Sequence, residues 1–263
     1  MPESSSDPYG PIAFHIQEAI RFAEENKYLG LALLLEHLAH RADWRFSLVR
    51  TPAGVAGVSI ILTDGTWWLE AKSEAAALLL AEIAGQTRLA RVLSTSESAR
   101  EWLHPRLDSK GRILQESRTI LVQANAMDLE ISGSWATAEA LPSLEAFWNE
   151  IESGNRPLRP PAWRTLIAFE ELAILSGSRG ILAAVACSSR TQTRAGLSLY
   201  RLPPHDGQGE AVRQIVAFVA QPLIAAGKKV FAWVDSADPG VIDLYRSMGF
   251  AEVESKYRFS LKT

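Results

Sequence analysis

The sequence is poor in the features that mark several common classes of protein. It has one cysteine, Cys187, so it can form neither an internal disulfide nor a metal site built from several cysteines. Its net charge of -3 provides no basic field for nucleic acid or an anionic membrane. The N-terminus lacks the cationic and apolar regions of a signal peptide, and no apolar run approaches the length of a membrane span. We therefore expect a cytoplasmic protein that binds neither nucleic acid nor membrane.

The sequence does contain enough apolar residues for a large core. Of its 263 residues, 47% are hydrophobic, which suffices for one large domain or two smaller ones. A weak repeat favours two: FSLV, a turn with Gly54 and VAGVSII in the first half resemble LAIL, a turn with Gly180 and ILAAVA in the second. The pattern predicts tandem domains over residues 11–130 and 131–263, after a disordered segment of residues 1–10.

The clearest local organisation lies between residues 196 and 250. The pattern predicts, in order, a strand over residues 197–202, a loop over residues 203–209, a helix with Val212, Ile215, Val216 and Val219 on its buried face, a strand over residues 229–234, and a short helix that ends at Gly249. A glycine loop that leads into a helix is typical of an anion site, because free amide groups and the helix dipole both point at the ligand.

Two nucleotide-binding loops are excluded at this position. Gly207 and Gly209 have no third glycine for G-x-G-x-x-G, and no Lys-Ser or Lys-Thr pair follows them as a Walker loop requires. The stretch from Asp206 to Ala211 reads D-G-Q-G-E-A and resembles instead the pyrophosphate loop [QR]-x-x-G-x-[GA] of the GNAT acetyltransferase superfamily. Gly209 and Ala211 match that pattern, whereas Asp206 departs from it at the first position.

A second stretch carries the same resemblance. The family has an Asn or Asp followed by a Leu-Tyr and a Gly-Phe pair, and here these residues are Asp238, Leu244, Tyr245, Gly249 and Phe250. The segment LYRLPP is also similar to the strand that leads into the family's loop. The resemblance implies an α/β fold of two GNAT-like domains, each a mixed central sheet flanked by helices, of which the first is degenerate.

The resemblance also implies an activity and a set of residues. The co-substrate would be acetyl-CoA, without a metal, and the acetyl group would pass to a primary amine of an unidentified acceptor by direct attack. The residues implied in acetyl-CoA binding are Leu199, Tyr200 and Arg201 along the pantetheine arm, Asp206, Gly207, Gln208, Gly209, Glu210 and Ala211 at the pyrophosphate, and Asp238 in place of the family's asparagine.

Two side chains are candidates for proton transfer. The resemblance implies Tyr245 as the general acid, and a phenol with a pKa near 10 suits that role because it holds its proton at neutral pH. The general base has no assigned residue in the pattern. Glu170 and Glu171, at the start of a core strand, are the nearest carboxylates by sequence, and Glu171 is our candidate.

An alternative from another class stays open, namely a non-catalytic acyl-CoA-binding or interaction module with a decayed GNAT site. Asp206 and Glu210 place two carboxylates near the expected pyrophosphate, which they would repel. Arg201 and Arg213 are close enough in sequence to offset them. The oligomeric state is open.

Overall fold

A computed structural model describes residues 10–39, 44–63, 65–85, 91–151, 162–178, 180–201 and 208–262. Its contacts divide into two compact units. Unit 1 contains Met1–Leu121, Asp235–Ala237 and Val253–Thr263, and unit 2 contains Val122–Val234 and Asp238–Glu252. The last eleven residues thus belong to the same unit as the first half of the chain. The predicted division into domains at residue 130 stays a prediction, and the predicted disordered segment lies outside the described residues except for Gly10.

Helices and strands alternate along most of the chain. The first half contains α1 (Gly10–Glu25), α2 (Leu29–Leu38), β1 (Trp44–Thr51), β2 (Gly54–Leu62), β3 (Thr66–Ala71), α3 (Glu74–Gly85), β4 (Val92–Thr95), α4 (Glu97–Ser109) and β5 (Ile113–Ala124). The second half contains β6 (Ser134–Trp135), α5 (Leu141–Ile151), α6 (Trp163–Ala168), β7 (Leu172–Gly177), β8 (Gly180–Arg190), β9 (Arg194–Arg201), α7 (Gln208–Ala225), β10 (Lys229–Asp235), α8 (Pro239–Ser247) and β11 (Ala251–Leu261). No helix in the described part of the chain is long and apolar enough to cross a membrane.

Unit 1 is built on strands in the order β1-β2-β3-β4-β11-β5. The pairs β1–β2, β2–β3 and β4–β11 are antiparallel, whereas β3–β4 is parallel, so the sheet is mixed. Val58 and Ile60 of β2 pack with the apolar residues of α1 and α2. Leu69 of β3 and Leu93 of β4 pack with those of α3 and α4. Two separate helical layers therefore bury the apolar residues of these strands.

Unit 2 contains strands in the order β10-β9-β8-β7-β6. The pairs from β6 to β9 are antiparallel, and β9 pairs with β10 in parallel. The helices α5 and α6 pack their aromatic residues on β7 and β8. The predicted buried face of α7 is confirmed, since Val212, Ile215, Val216 and Val219 are all buried.

The two units share one path of elements. In unit 1 the chain runs β3–α3–β4–α4 with β3 and β4 parallel, and in unit 2 it runs β9–α7–β10–α8 with β9 and β10 parallel. The connections differ in length. Lys72 and Ser73 alone separate β3 from α3, whereas the six residues 202–207 separate β9 from α7. The predicted α/β class with mixed sheets flanked by helices is confirmed.

Candidate functional site

The parallel pairing of β9 with β10 stops before either strand ends. Its register runs from Arg194 opposite Lys229 to Leu197 opposite Ala232. Residues 198–201 of β9 continue to pair with β8 on the other edge, where Ala183 lies opposite Arg201. We call the edge of residues 198–201 that faces away from β8 the β9–β10 opening. Because alternate residues of a strand direct both their N–H and C=O to one edge, backbone groups of β9 face this opening.

A β-bulge lies at the level where the opening begins. Leu197 pairs with Cys187, but the next residue back, Gly196, pairs with Ser189, so Ser188 is an extra residue in β8. The Ser188 hydroxyl donates a hydrogen bond to the Gly196 carbonyl at 3.3 Å. A bulge bends its strand and increases the local twist. The distortion of β8 thus lies at the same level as the end of the pairing between β9 and β10.

The N-terminus of α7 follows β9 by six residues. Gly209 is the second residue of this helix, and a Cβ atom built on it would have no atom of the described residues within 4 Å. Glycine destabilises a helix interior by about 0.5–1 kcal/mol relative to alanine. The packing around Gly209 therefore does not require glycine. A ligand that approaches the backbone closely would require it.

The structure describes only part of the predicted loop. Asp206 and Gly207 lie outside the described residues, and only the backbone of Gln208 is described. Ala211 lies in the first turn of α7, and Glu210 is exposed there. Arg213 donates to the Glu210 carboxylate at 3.4 Å, so one of the two predicted arginines does offset the nearby negative charge.

Arg201, the last residue of β9, is joined to the start of α8. Its Nη2 donates to Oδ2 of Asp238 at 2.9 Å. Oδ1 of the same aspartate accepts from the backbone N–H of Val241 at 3.1 Å, so Asp238 is the N-cap of α8, and Pro239 occupies the first turn. One carboxylate thus binds both the strand end and the helix start.

Tyr245 lies near the C-terminal end of α8 and is only 2% exposed. Its ring makes an edge contact with Phe250, with 4.9 Å between the ring centroids. Burial raises the pKa of the Tyr245 hydroxyl above its ordinary value, and the positive charge of Arg201 opposes that shift. Gly249 has φ of +88°, so the predicted left-handed cap at the end of this helix is confirmed. The tyrosine therefore holds its proton at neutral pH.

The side chain of Tyr200 belongs to a different cluster. Its ring makes edge contacts with Trp163 at 5.3 Å and Trp148 at 6.3 Å between centroids, and burial raises the pKa of its hydroxyl. The positions of these two tryptophans, on α6 and α5, give no sign of this contact in the sequence. Tyr200 is anchored in the core by its ring, so its backbone is the part that can bind a ligand.

Glu171 lies apart from the other predicted residues. It directly precedes β7, and its carbonyl accepts from the Cys187 N–H of β8 at 2.8 Å. Burial first, and then the Glu171 charge, raises the pKa of the Cys187 thiol to about 11. With neighbouring strands about 4.8 Å apart, two spacings place Glu171 about 10 Å from β9. The structure thus joins Arg201 to Asp238 at the start of the helix that carries Tyr245, and it places the backbone of Glu171 two strands away from β9.

Comparison with known proteins adds the fold family. No protein-family model and no curated protein matches the chain. A solved Drosophila protein is similar, with 13% identity, coverage of 95% of this chain and 96% of that one, and a TM-score of 0.70. A GCN5-related N-acetyltransferase from Kribbella flavida is similar at 17% identity, coverage of 93% and 96%, and a TM-score of 0.57. A tandem GNAT protein from the clavulanic acid biosynthesis pathway matches at 12% identity, coverage of 99% and 97%, and a TM-score of 0.50.

The chain has the tandem GNAT fold. Both units are GNAT-like, as predicted, and at these identities the likeness concerns the fold alone. Within that fold, β9–α7–β10–α8 carries the loop and helix residues quoted above. The corresponding path in unit 1 is β3–α3–β4–α4.

The path in unit 1 has no opening between its parallel strands. The pairing of β3 with β4 runs from Thr66 opposite Val92 to Leu69 opposite Thr95, which is the last residue of β4. The Thr95 hydroxyl also donates to the Leu69 carbonyl at 2.7 Å. With only two residues before α3, the chain has no room for a loop around a pyrophosphate.

Buried charges occupy the end of β3 in unit 1. Glu70 and Lys256 are 0% exposed and form an ion pair, and Lys256 also lies 2.6 Å from a carboxylate oxygen of Glu254. The second oxygen of Glu70 accepts from the N–H of Ser96 at 3.2 Å, and that of Glu254 accepts from Gly30 at 2.8 Å. We call Glu70, Glu254 and Lys256 the buried triad. No pattern in the sequence indicated charges inside this core.

Proposed function

We propose that the protein is an N-acetyltransferase that binds acetyl-CoA in unit 2 and transfers its acetyl group to a primary amine. The observation that carries the proposal is the early end of the β9–β10 ladder at Leu197, in the strand that precedes the N-terminus of α7 along the chain. Such a strand edge can hold an extended arm, and such a helix start can hold phosphate groups. The GNAT fold supports this assignment, which the low identities leave at the level of a proposal.

Acetyl-CoA would bind along these two features. The backbone of Leu199, Tyr200 and Arg201 would hold the pantetheine arm in the β9–β10 opening. The amides of residues 206–211 would face the pyrophosphate, with the helix dipole adding attraction for its charge. No described atom lies within 4 Å of a Cβ built on Gly209, which fits this placement, because a side chain there would enter the space of the phosphates. Arg213 neutralises Glu210, so the first turn of α7 does not repel the ligand through that side chain.

The reaction would be a direct transfer. The acceptor nitrogen attacks the thioester carbonyl carbon, the C–N bond forms, and the C–S bond breaks as the thiolate leaves. Strand amides in the opening would polarise the carbonyl oxygen as charge develops on it. Tyr245 would give its proton to the departing thiolate, and its raised pKa means that the proton is present at neutral pH. No covalent enzyme intermediate is involved.

The amine must also lose a proton. Glu171 remains our candidate for the base, but at about 10 Å from β9 it would have to act through water. The carboxylate can serve in this way because a relay needs only hydrogen-bond contact at each end. Unit 1 would bind no CoA, since its parallel strands stay paired and its connection has two residues.

A second candidate is a non-catalytic acyl-CoA-binding or interaction module. The distance of Glu171 from the opening favours it, because our candidate base then lacks direct contact with the acceptor amine. This candidate predicts acetyl-CoA binding without thiol release across a panel of amines.

Thermal unfolding with and without acetyl-CoA tests the proposal. A ligand at about 100 times its dissociation constant stabilises the native state by about 2.7 kcal/mol, which raises the Tm by about 5–10 °C for a chain of this size. In the Gly209→Glu variant the shift should vanish, because a side chain and a negative charge would stand where the pyrophosphate binds.

Gly209→Ala is the matched control. Its Cβ meets no described atom, so the free variant should be as stable as the wild type or slightly more so, while acetyl-CoA binding weakens. The absence of any thermal shift with acetyl-CoA or longer acyl-CoAs would refute acyl-CoA binding. A full shift with both variants would show that the ligand does not bind at α7.

A further inference from the structure

The contact between Arg201 and Asp238 lies beyond the point where the β9–β10 ladder ends. Arg201 is four residues past Leu197, so it lies about 13 Å along the strand from the last paired residue. Over that length no ladder between β9 and β10 holds the described residues together. The ion pair at 2.9 Å reconnects the end of β9 to the segment that follows β10.

Asp238 is unusually well placed to fix this connection. Its two carboxylate oxygens have separate partners, the Arg201 guanidinium on one side and the Val241 N–H on the other. An aspartate side chain is short, so the guanidinium is held at a defined position relative to the first turn of α8. The pair is partly exposed, at 23% for Arg201 and 43% for Asp238, and pairs of this kind contribute little to stability. Its effect should therefore be on position rather than on folding.

The same helix carries Tyr245. Tyr245 is seven residues after Asp238 on that helix, about two turns from the contact with Arg201. A shift of α8 relative to β9 would therefore change the width of the β9–β10 opening and move Tyr245 relative to it.

We propose that Arg201 and Asp238 form a strut that holds the end of β9 at a fixed distance from α8 and so sets the geometry of the β9–β10 opening. Both are positioning residues. The role in acyl-CoA binding rests on the proposed function, whereas the mechanical role of the strut can be measured without any ligand.

Two variants remove the strut and leave other contacts in place. Asp238→Asn keeps an oxygen that can cap α8 but loses the charge that binds Arg201. Arg201→Met keeps the length of the side chain and loses the guanidinium. The matched controls are Asp243→Asn and Arg246→Met, which break an exposed ion pair of 2.6 Å on α8 itself.

Hydrogen exchange of the free protein is the first measurement. Amides of residues 198–201 and of the first turn of α8 should exchange faster in both strut variants than in either control. Unchanged exchange in these two segments would overturn the strut. Because this measurement uses no acyl-CoA, it decides the point even if the wild type binds none, in which case the proposed function alone fails.

Calorimetric titration with acetyl-CoA and thiol release with an amine panel follow. Each strut variant should bind more weakly and turn over more slowly, with a loss of up to about 100-fold for a misplacement near 1 Å. The double variant should lose no more than the single ones, because both remove the same contact. Faster exchange with unchanged affinity and turnover would show that the strut exists but does not set the opening, which would also overturn the proposal.

Discussion

Replacing Lys256 by methionine should destabilise the protein severely. Lys256 is the only cation of the buried triad, and it lies 4.9 Å from the centroid of the Tyr28 ring. Burial on its own would lower the pKa of Lys256, but Glu70 and Glu254 outweigh that effect and the pKa is raised. The lysine is therefore charged, and its loss leaves two buried carboxylates without a cation.

The magnitude follows from that arrangement. Removing one partner of a buried ion pair costs about 3–5 kcal/mol, because the remaining charge is desolvated and uncompensated. At about 2–4 °C per kcal/mol, the Tm of Lys256→Met should fall by about 6–20 °C. Methionine fills much of the volume of the lysine stem, so a cavity contributes little to this loss.

Two further variants show whether charge is the cause. Lys72→Met makes the same substitution at an exposed lysine of unit 1, whose ammonium lies 5.3 Å from the Phe22 ring centroid, and should change stability by about 1 kcal/mol or less. The triple variant Glu70→Gln, Glu254→Gln, Lys256→Met removes all three charges and should recover much of the stability lost in Lys256→Met. Thermal unfolding, monitored by circular dichroism, measures the stability of each of these variants.

The pH dependence has a defined sign. Burial raises the pKa of Glu70 above its unfolded value, and Lys256 opposes that rise, so the pKa increases further in Lys256→Met. A carboxyl with a raised folded pKa destabilises the native state fully above that pKa and not at all below its unfolded value of about 4.3. The loss of stability in Lys256→Met, relative to the wild type, should therefore be larger at about pH 8 than at about pH 5. A deficit that is equal at both pH values, or that persists in the triple variant, would refute the electrostatic explanation.

Two other measurements address the second unit. Tyr245→Phe should lower turnover by about 10²- to 10⁴-fold and change acetyl-CoA affinity little, because the hydroxyl acts as charge develops on sulfur while the ring contact with Phe250 remains; wild-type turnover would mean that the proton comes from another source. The Cys187 thiol, 4% exposed and with a pKa raised to about 11, should react with a thiol reagent at neutral pH only after unfolding; rapid labelling of the native protein would contradict its burial.

The path from β9 to α8 could be predicted because its signals are local. The buried face of α7 follows from a 3.6-residue period, and the ends of α8 follow from Asp238, Pro239 and Gly249. The start of α4 has no such clear local signal. Ser94 and Thr95 are polar residues of the kind that precede a helix, but they pair with β3 and β11 and belong to β4, and α4 begins at Glu97.

Features that depend on contacts between residues far apart in the sequence could not be predicted. The strand β11 was not predicted, because Glu254 and Lys256 suggest a solvent-facing segment when they are read without their partner Glu70, which lies 186 residues from Lys256. In the sequence, Arg201 and Asp238 belong to two separate motifs. Their contact joins residues 37 positions apart and depends on where the β9–β10 ladder ends. No local pattern encodes either pairing.

The contrast between the two units bears on where the proposed ligand would bind. Both contain two parallel strands joined through a helix, and in both a side chain at or next to the end of the first strand binds at the start of the helix that follows the second strand. In unit 1 Glu70 accepts from Ser96 beside α4 and turns its second oxygen to a buried lysine, so the space at the strand end is filled by the protein. In unit 2 Arg201 binds Asp238 from a partly exposed position, and the ladder beside it is open. The side chains of unit 1 occupy its strand end, whereas the open strand end of unit 2 leaves backbone groups that a ligand can pair. That difference, rather than any single motif residue, is the physical reason for proposing the acyl-CoA site in unit 2.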